Sequence, residues 1–222
     1  MTRTLAEAAR EAAGCTRCRL AQGRTQVVFG AGHPTAELMF IGEGPGFHED
    51  KQGEPFVGAA GQLLNRMLGE IGLTREEVYI GNVVKCRPPG NRDPQADEIE
   101  ACTPWLVEQL SLIQPSVVVT LGTFATRFVL NTQTGITRLR GQVHEWHGRT
   151  VIPTFHPAAI LHGGGERSRQ FQLLRDDFLL ARRTLDELAE GPSPQEPTPE
   201  VEIAGGALAE PGAADVDQLE LF

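Results

Sequence analysis

Glu37-Leu38-Met39-Phe40-Ile41-Gly42-Glu43-Gly44-Pro45-Gly46 is the stretch from which the rest of the chain can be read. Its first half is an apolar run of strand length. Its second half sets three glycines around one carboxylate. A short apolar run that ends in glycines reads as a strand buried on both faces, entering a tight loop. Val78–Val84 (VYIGNVV), Ser116–Leu121 (SVVVTL) and Val151–Phe155 (VIPTF) repeat the pattern. Between them, apolar residues recur at helical spacing. Gly58–Ile71 carries Leu63, Leu64, Met67, Leu68 and Ile71, and Asp97–Leu112, Thr123–Leu130 and Gln170–Leu188 follow. Leu5–Ala13 reads as a short helix, and Arg138–Trp146 as a β-hairpin arm ahead of the last strand. Strands alternating with helices predict an α/β fold with a mainly parallel sheet. Ligands of such sheets lie beyond the carboxyl ends of the strands. The Gly42–Gly46 loop, Asn82 with Lys85-Cys86-Arg87, and His156-Pro157 all fall at such ends. Three features from distant parts of the chain thus converge on one sheet edge.

The 222 residues are enough for one domain and a tail, and 40% hydrophobic with 22% charged residues is ordinary globular composition. No apolar run approaches the roughly 20 residues that span a bilayer. The opening MTRTLAEAAREAAG lacks the apolar stretch of a signal peptide, so the expected location is cytoplasmic, where disulfides are rare. The net charge of −9 is a property of the tail. Ten of the 29 acidic residues lie between Thr184 and Phe222, which hold no Lys or Arg, leaving 20 basic against 19 acidic residues in the body. An acidic total therefore does not exclude a nucleic-acid partner. Residues 1–190 read as the folded domain. Residues 191–217, rich in Pro, Gly, Ala and acids, read as a linker, and Gln218-Leu219-Glu220-Leu221-Phe222 closes the chain with three large apolar residues that have no core to enter.

The four cysteines, Cys15, Cys18, Cys86 and Cys102, form a C-x2-C pair and a C-x15-C pair. Four thiols without a spare point to one four-thiolate metal site, although four separate buried thiols would give the same count. Zinc and an iron–sulfur cluster both accept such a set. The wide second pair tilts the reading away from a zinc ribbon.

At the sheet edge, Gly42, Gly44 and Gly46 permit close approach of backbone to a ligand. The segment is neither a dinucleotide fingerprint nor a P-loop. Phe56 offers a stacking face or a core side chain. Asn82 lies in an otherwise apolar strand and must find hydrogen bonds; a carboxamide presents a donor and an acceptor together, as the edge of a nucleobase does. His156 at a strand end is a proton donor or acceptor. Lys85, Arg87, Arg92, Arg138, Arg140, Arg167 and Arg169 lie in loops around this edge and read as a phosphate-backbone footprint.

Taken together, Cys15-Thr16-Arg17-Cys18-Arg19-Leu20, Gly42-Glu43-Gly44-Pro45-Gly46, Glu49-Asp50, Pro55-Phe56-Val57-Gly58, Asn82-Val83-Val84-Lys85-Cys86-Arg87-Pro88-Pro89 and His156-Pro157-Ala158 resemble the family 4 uracil-DNA glycosylases, the iron–sulfur type. The resemblance spans Cys15 to Leu161. It implies a three-layer α/β/α sandwich around a four-stranded, mainly parallel sheet. It implies a 4Fe–4S cluster on Cys15, Cys18, Cys86 and Cys102. It implies excision of uracil from DNA, with Gly42, Glu43, Gly44, Pro45, Phe56, Asn82 and His156 around the base. Phe56 would stack on the ring, Asn82 would read the O4 and N3–H edge, and His156 would donate to O2. Glu43, with Glu49 as a second choice, would orient water. Two departures stand out. Phe47-His48 follows the glycine loop where many relatives carry acids, and Leu161-His162-Gly163-Gly164-Gly165 is unusually glycine-rich where relatives wedge into DNA, leaving Ile160 or Leu161 as the wedge. The terminal pentapeptide resembles the bacterial sliding-clamp-binding motif Q-L-x-L-F. The expected state is a monomer with uracil-containing DNA and the clamp as partners, located in the cytoplasm at the nucleoid. The competing expectations are an inactive iron–sulfur DNA-binding module on the same fold and a redox or nucleotide-binding protein. The presence of Glu43, Asn82 and His156 argues against the first, and the lack of a phosphate fingerprint against the second.

Overall fold

In a computed structural model that describes residues 3–191, the chain forms six strands and eight helices among those residues. The strands are β1 (Ala31–Gly32), β2 (Leu38–Gly42), β3 (Tyr79–Asn82), β4 (Val117–Leu121), β5 (His144–Trp146) and β6 (Arg149–Thr154). The helices are α1 (Leu5–Ala13), α2 (Phe47–Gln52), α3 (Ala59–Glu70), α4 (Ala96–Ile113), α5 (Gly122–Leu130), α6 (Ile136–Leu139), α7 (Pro157–His162) and α8 (Arg169–Glu190). The linker from residue 192 and the terminal pentapeptide lie outside the described residues.

The sheet order is β1-β3-β2-β4-β6-β5. The four inner strands are parallel, as the sequence implies, but the sheet has six strands rather than four. The added edges, β1 against β3 and β5 against β6, are antiparallel. Both are two or three residues long, too short to show a period in sequence. Arg138–Trp146 holds the expected hairpin arm only at its end. Arg138 and Leu139 close helix α6, and the arm is β5, joined to β6 through His147 and Gly148, both at positive φ (49° and 73°). Two positive φ values in a two-residue loop match the twist of the flanking strands.

Alternation along β2 explains the three layers. Leu38 and Phe40 face a core shared with Leu64, Met67 and Leu68 of α3 and Leu174 and Phe178 of α8. Met39 and Ile41 face a second core with Trp105, Leu106 and Leu110 of α4 and Val129 of α5. Phe40 and Phe178 stack at 5.4 Å between ring centroids. Burial of each such side chain stabilises by roughly 1.5–3 kcal/mol. The carboxyl end of β2 lies where successive crossovers diverge, to β3 on one side and β4 on the other. That switch point opens a crevice at the Gly42–Gly46 loop.

Several basic residues expected at a DNA footprint are structural. Lys85 is fully buried, donating to the Asn82 carbonyl at 2.6 Å and to Gln109 Oε1. Arg140 pairs with buried Asp177, which also accepts from Thr154 Oγ1 at 2.6 Å, and so ties α8 to the end of β6. Arg92 forms a two-bond pair with buried Glu98 at 2.6 and 2.9 Å. Arg138, Arg167 and Arg169 remain exposed. A charged residue in a glycine- or proline-rich stretch reads as surface because burial of a charge needs partners that the local sequence does not reveal.

Candidate functional site

Three strand ends bring the site together. Gly42 and Glu43 accept from the N–H groups of Val83 and Val84 at 2.9 and 3.1 Å, which extends the β2–β3 ladder into the glycine loop and fixes it beside Asn82. A Cβ on Gly42 would overlap Asn82 Oδ1 and come within 2.8 Å of the Phe56 ring, so only glycine lets both side chains approach the same floor. The resulting cavity is lined by Glu43, Gly44, Pro45, Gly46, Glu49, Phe56, Asn82 and His156, with Asn91, Arg92 and Asp93 on its far rim.

Asn82 is 2% exposed, and its Oδ1 is buried with no partner. An unpaired buried acceptor costs about 1–3 kcal/mol, so a ligand donor belongs there. Phe56 has φ 53°, a left-handed backbone rarely adopted by a large side chain. Neighbours hold it. Arg75 donates to the Phe56 and Pro55 carbonyls at 3.1 and 2.6 Å, and a Cβ on Gly61 would overlap the Phe56 carbonyl. Glu49 Oε1 accepts from the N–H groups of Val57 and Gly58 at 3.0 and 3.1 Å. Glu49 therefore anchors the Phe56 turn from the cavity wall.

His156 is the N-cap of α7, with Pro157 at the first helical position. Its Nδ1 accepts from Ala158 N–H at 3.1 Å, which leaves the proton of the neutral ring on Nε2. Burial pushes its pKa down to about 4, with Glu49 pulling the other way. The ring is therefore neutral at pH 7. It lies against Phe56 at 5.5 Å between centroids and 27° between planes. Burial, reinforced by the negative charge of Asp93, raises Glu43 to about 7.

The sequence did not single out Asp93, Asn91 or Arg75. Asp93 and Asn91 lie in an irregular loop, and Arg75 acts on carbonyl groups, so no spacing marks them. Of the two wedge residues, Ile160 is wholly buried and belongs to the core, whereas Leu161 is 40% exposed.

Cys15, Cys18, Cys86 and Cys102 line one separate pocket. Three of the sulfurs receive N–H donors: Cys15 from Trp105 at 3.4 Å, Cys86 from Arg24 at 3.5 Å and Cys102 from the Lys85 backbone at 3.2 Å. Donors aimed at sulfur suit thiolate ligands. Among the described residues no three His, Cys, Asp or Glu side chains are placed to hold a single metal ion. Also among the described residues, no helix is long and apolar enough to cross a membrane.

Comparison with known proteins agrees with this geometry. The model of the uracil DNA glycosylase superfamily matches residues 29–179. A type-4 uracil-DNA glycosylase of Sulfurisphaera tokodaii is 48% identical over 76% of this chain and 79% of its own length. Those of Archaeoglobus fulgidus and Thermotoga maritima are 49% and 47% identical, each over 72% of this chain and 84% of their own. By this superfamily match over most of the chain and by relatives at 47–49% identity, the chain belongs to the type-4 branch of the uracil-DNA glycosylase superfamily.

Proposed function

We propose that the protein is a monofunctional uracil-DNA glycosylase that takes a flipped uracil into the cavity and hydrolyses its N-glycosidic bond, leaving an abasic site for base excision repair. The unpartnered Asn82 Oδ1 carries the reading. Asn82 lines the cavity, and its free acceptor suits the N3–H of uracil, while the same amide can donate to O4. Cytosine has no proton on N3 and a donor at position 4, so it meets the same amide with two mismatches. A base must leave the duplex stack to reach this floor.

The near-parallel rings of Phe56 and His156 support the rest. A flat base stacked on Phe56 would lie near the imidazole, whose neutral form donates through Nε2–H. As the glycosidic bond breaks, its electron pair moves into the uracil ring and charge grows on O2. A neutral donor at O2 would stabilise this charge more than the ground state. Glu43 as carboxylate offsets the positive sugar and orients the attacking water, whose proton it takes. Glu49 holds the Phe56 turn. Leu161, exposed at the end of α7, fits the wedge that fills the space left by the flipped nucleotide.

Cys15, Cys18, Cys86 and Cys102 would hold a 4Fe–4S cluster, consistent with their donor pattern and their spread around a common space. Such a cluster supplies a covalent cross-link between the segment after α1 and the segment after β3, next to the Asn82 strand end. The tail is proposed to dock on a sliding clamp through Gln218–Phe222, and the protein to act as a monomer in the cytoplasm at the nucleoid.

The activity test uses the full chain and a labelled oligonucleotide with one uracil, followed by alkali to cut abasic sites. Cleavage at uracil and none at thymine or cytosine is expected. No cleavage by folded protein on single or double strands rejects the enzyme reading and leaves the inactive DNA-binding module. Deleting residues 218–222 is expected to abolish clamp binding and leave oligonucleotide excision unchanged; retained clamp affinity rejects the tail proposal.

A further inference from the structure

Phe47 takes no part in the chemistry above. It opens α2 directly after Gly46, and 43% of it is exposed. Two cations lie over its ring, Lys51 Nζ at 4.4 Å and Arg87 Cζ at 5.1 Å from the centroid. Neither forms a salt bridge among the described residues. The group borders the base cavity. Arg87 Nε donates to Asn91 Oδ1 at 2.7 Å, and Asn91, Gly46 and Glu49 all line the cavity. The helix under Phe47 is fixed. Buried Asp50 accepts from Thr25 N–H at 2.9 Å, and Gln26 donates to the Lys51 carbonyl at 2.6 Å.

An exposed aromatic face with unpaired cations beside it is the combination that holds single-stranded nucleic acid: the face stacks a base and the cations meet phosphates. A base within a duplex has both faces covered by its neighbours and cannot use such a face. A protein partner would use the phenyl ring as a buried anchor, but the ammonium and the guanidinium on that ring would then need acidic partners. Continuity with the cavity favours the strand that already enters it.

We propose that Phe47, flanked by Lys51 and Arg87, is a stacking platform for one unpaired base near the flipped uridine on the same strand, so that the enzyme grips single-stranded substrate at two bases. On binding, the flexible Lys51 ammonium leaves the ring for the phosphate that accompanies the base. The inference rests on the glycosylase reading and concerns a surface that the reading does not use.

Binding and excision are measured separately. The full-length protein is titrated by anisotropy with a labelled oligonucleotide carrying 2′-fluoro-2′-deoxyuridine, whose glycosidic bond resists cleavage. Phe47→Ala is expected to weaken single-strand binding by about 5- to 100-fold, the range for loss of one base stack, while duplex binding stays within about 2-fold and Phe47→Trp restores the wild-type value. In wild type, a tetrahydrofuran spacer replacing neighbouring nucleotides one at a time is expected to cost a similar factor at one position, and that cost vanishes in Phe47→Ala. Unchanged binding in Phe47→Ala, equal losses on single and double strands, or a loss that persists when every flanking base is a spacer overturns the proposal; the last outcome assigns Phe47 to packing against the sugar-phosphate backbone instead. Uracil release at saturating enzyme in a single turnover is expected to be unaffected by Phe47→Ala. Absence of release from wild type rejects the glycosylase reading, while the anisotropy series still decides the platform.

Discussion

Two buried polar groups share β3 and its extension and are built on opposite terms. Tyr79, Lys85 and Gln109 form a closed set. Gln109 donates to the Phe29 carbonyl at 2.7 Å and to the Tyr79 hydroxyl at 3.0 Å, and its oxygen accepts from Lys85. Asn82, three residues before Lys85, leaves its Oδ1 unpartnered. Beside it Glu43 is raised to about 7 and His156 lowered to about 4, both chiefly by burial. Burial with every partner present fixes a fold. Burial with an acceptor held open is a cost that the rest of the structure offsets, and it marks where a ligand enters.

The comparison breaks most clearly through activity. Asn82→Ala and His156→Ser are expected to lower kcat/KM by about 10²–10⁴-fold, as loss of a preset donor or base contact does. Serine retains an N-cap oxygen for the Ala158 N–H, so the thermal midpoint stays close to wild type. Near-wild-type excision in either variant removes that residue from the site. Gln109→Leu tests the closed set in the opposite sense. It leaves Lys85 Nζ, the Tyr79 hydroxyl and the Phe29 carbonyl each short of a partner, and is expected to cost about 2–5 kcal/mol in denaturant unfolding. Excision by the folded fraction is expected to stay within about 3-fold; a stable variant with lost activity would reverse the two roles.

The smallest effect is in pH. In the proposed mechanism Glu43 acts as a carboxylate, so kcat/KM is expected to rise with pH through its pKa of about 7. Asp93 raises that pKa by its negative charge, and removing the charge lowers it. Asp93→Asn is thus expected to move the ascending limb to lower pH, and Glu43→Gln to abolish the limb. His156 adds no change near neutrality because its neutral form is complete well above about 4. A limb that does not move in Asp93→Asn disconnects the two carboxyl groups.

The sequence made Glu43, Asn82 and His156 legible because each follows or ends an apolar run, and parallel strands deliver their ends to one edge. The inner strand set was legible for the same reason. Lys85 was misread because its partner Gln109 is 24 residues away on α4 and nothing local marks the pair. Edge strands β1 and β5 escaped because two or three residues carry no period. Helix α7 carries a local signal, a capping His156 followed by Pro157, but at six residues it is too short to show helical spacing. Asp93 acts through field rather than contact, and an exposed loop aspartate looks the same in sequence whether or not a buried carboxylate lies near it.

Gly42 sets a limit on how this enzyme can diversify. Because one absent methyl group lets the amide of Asn82 and the ring of Phe56 meet at the floor, every substitution at position 42 displaces the reader and the stack together. A lineage seeking a larger or differently substituted base cannot approach it through graded steps there. Its viable routes run through the rim, where Asn91 and Asp93 are exposed and single changes leave the floor intact. The two ends of the cavity thus differ in tolerance for a steric reason: a side chain at position 42 collides with the floor, whereas the exposed mouth has room for one.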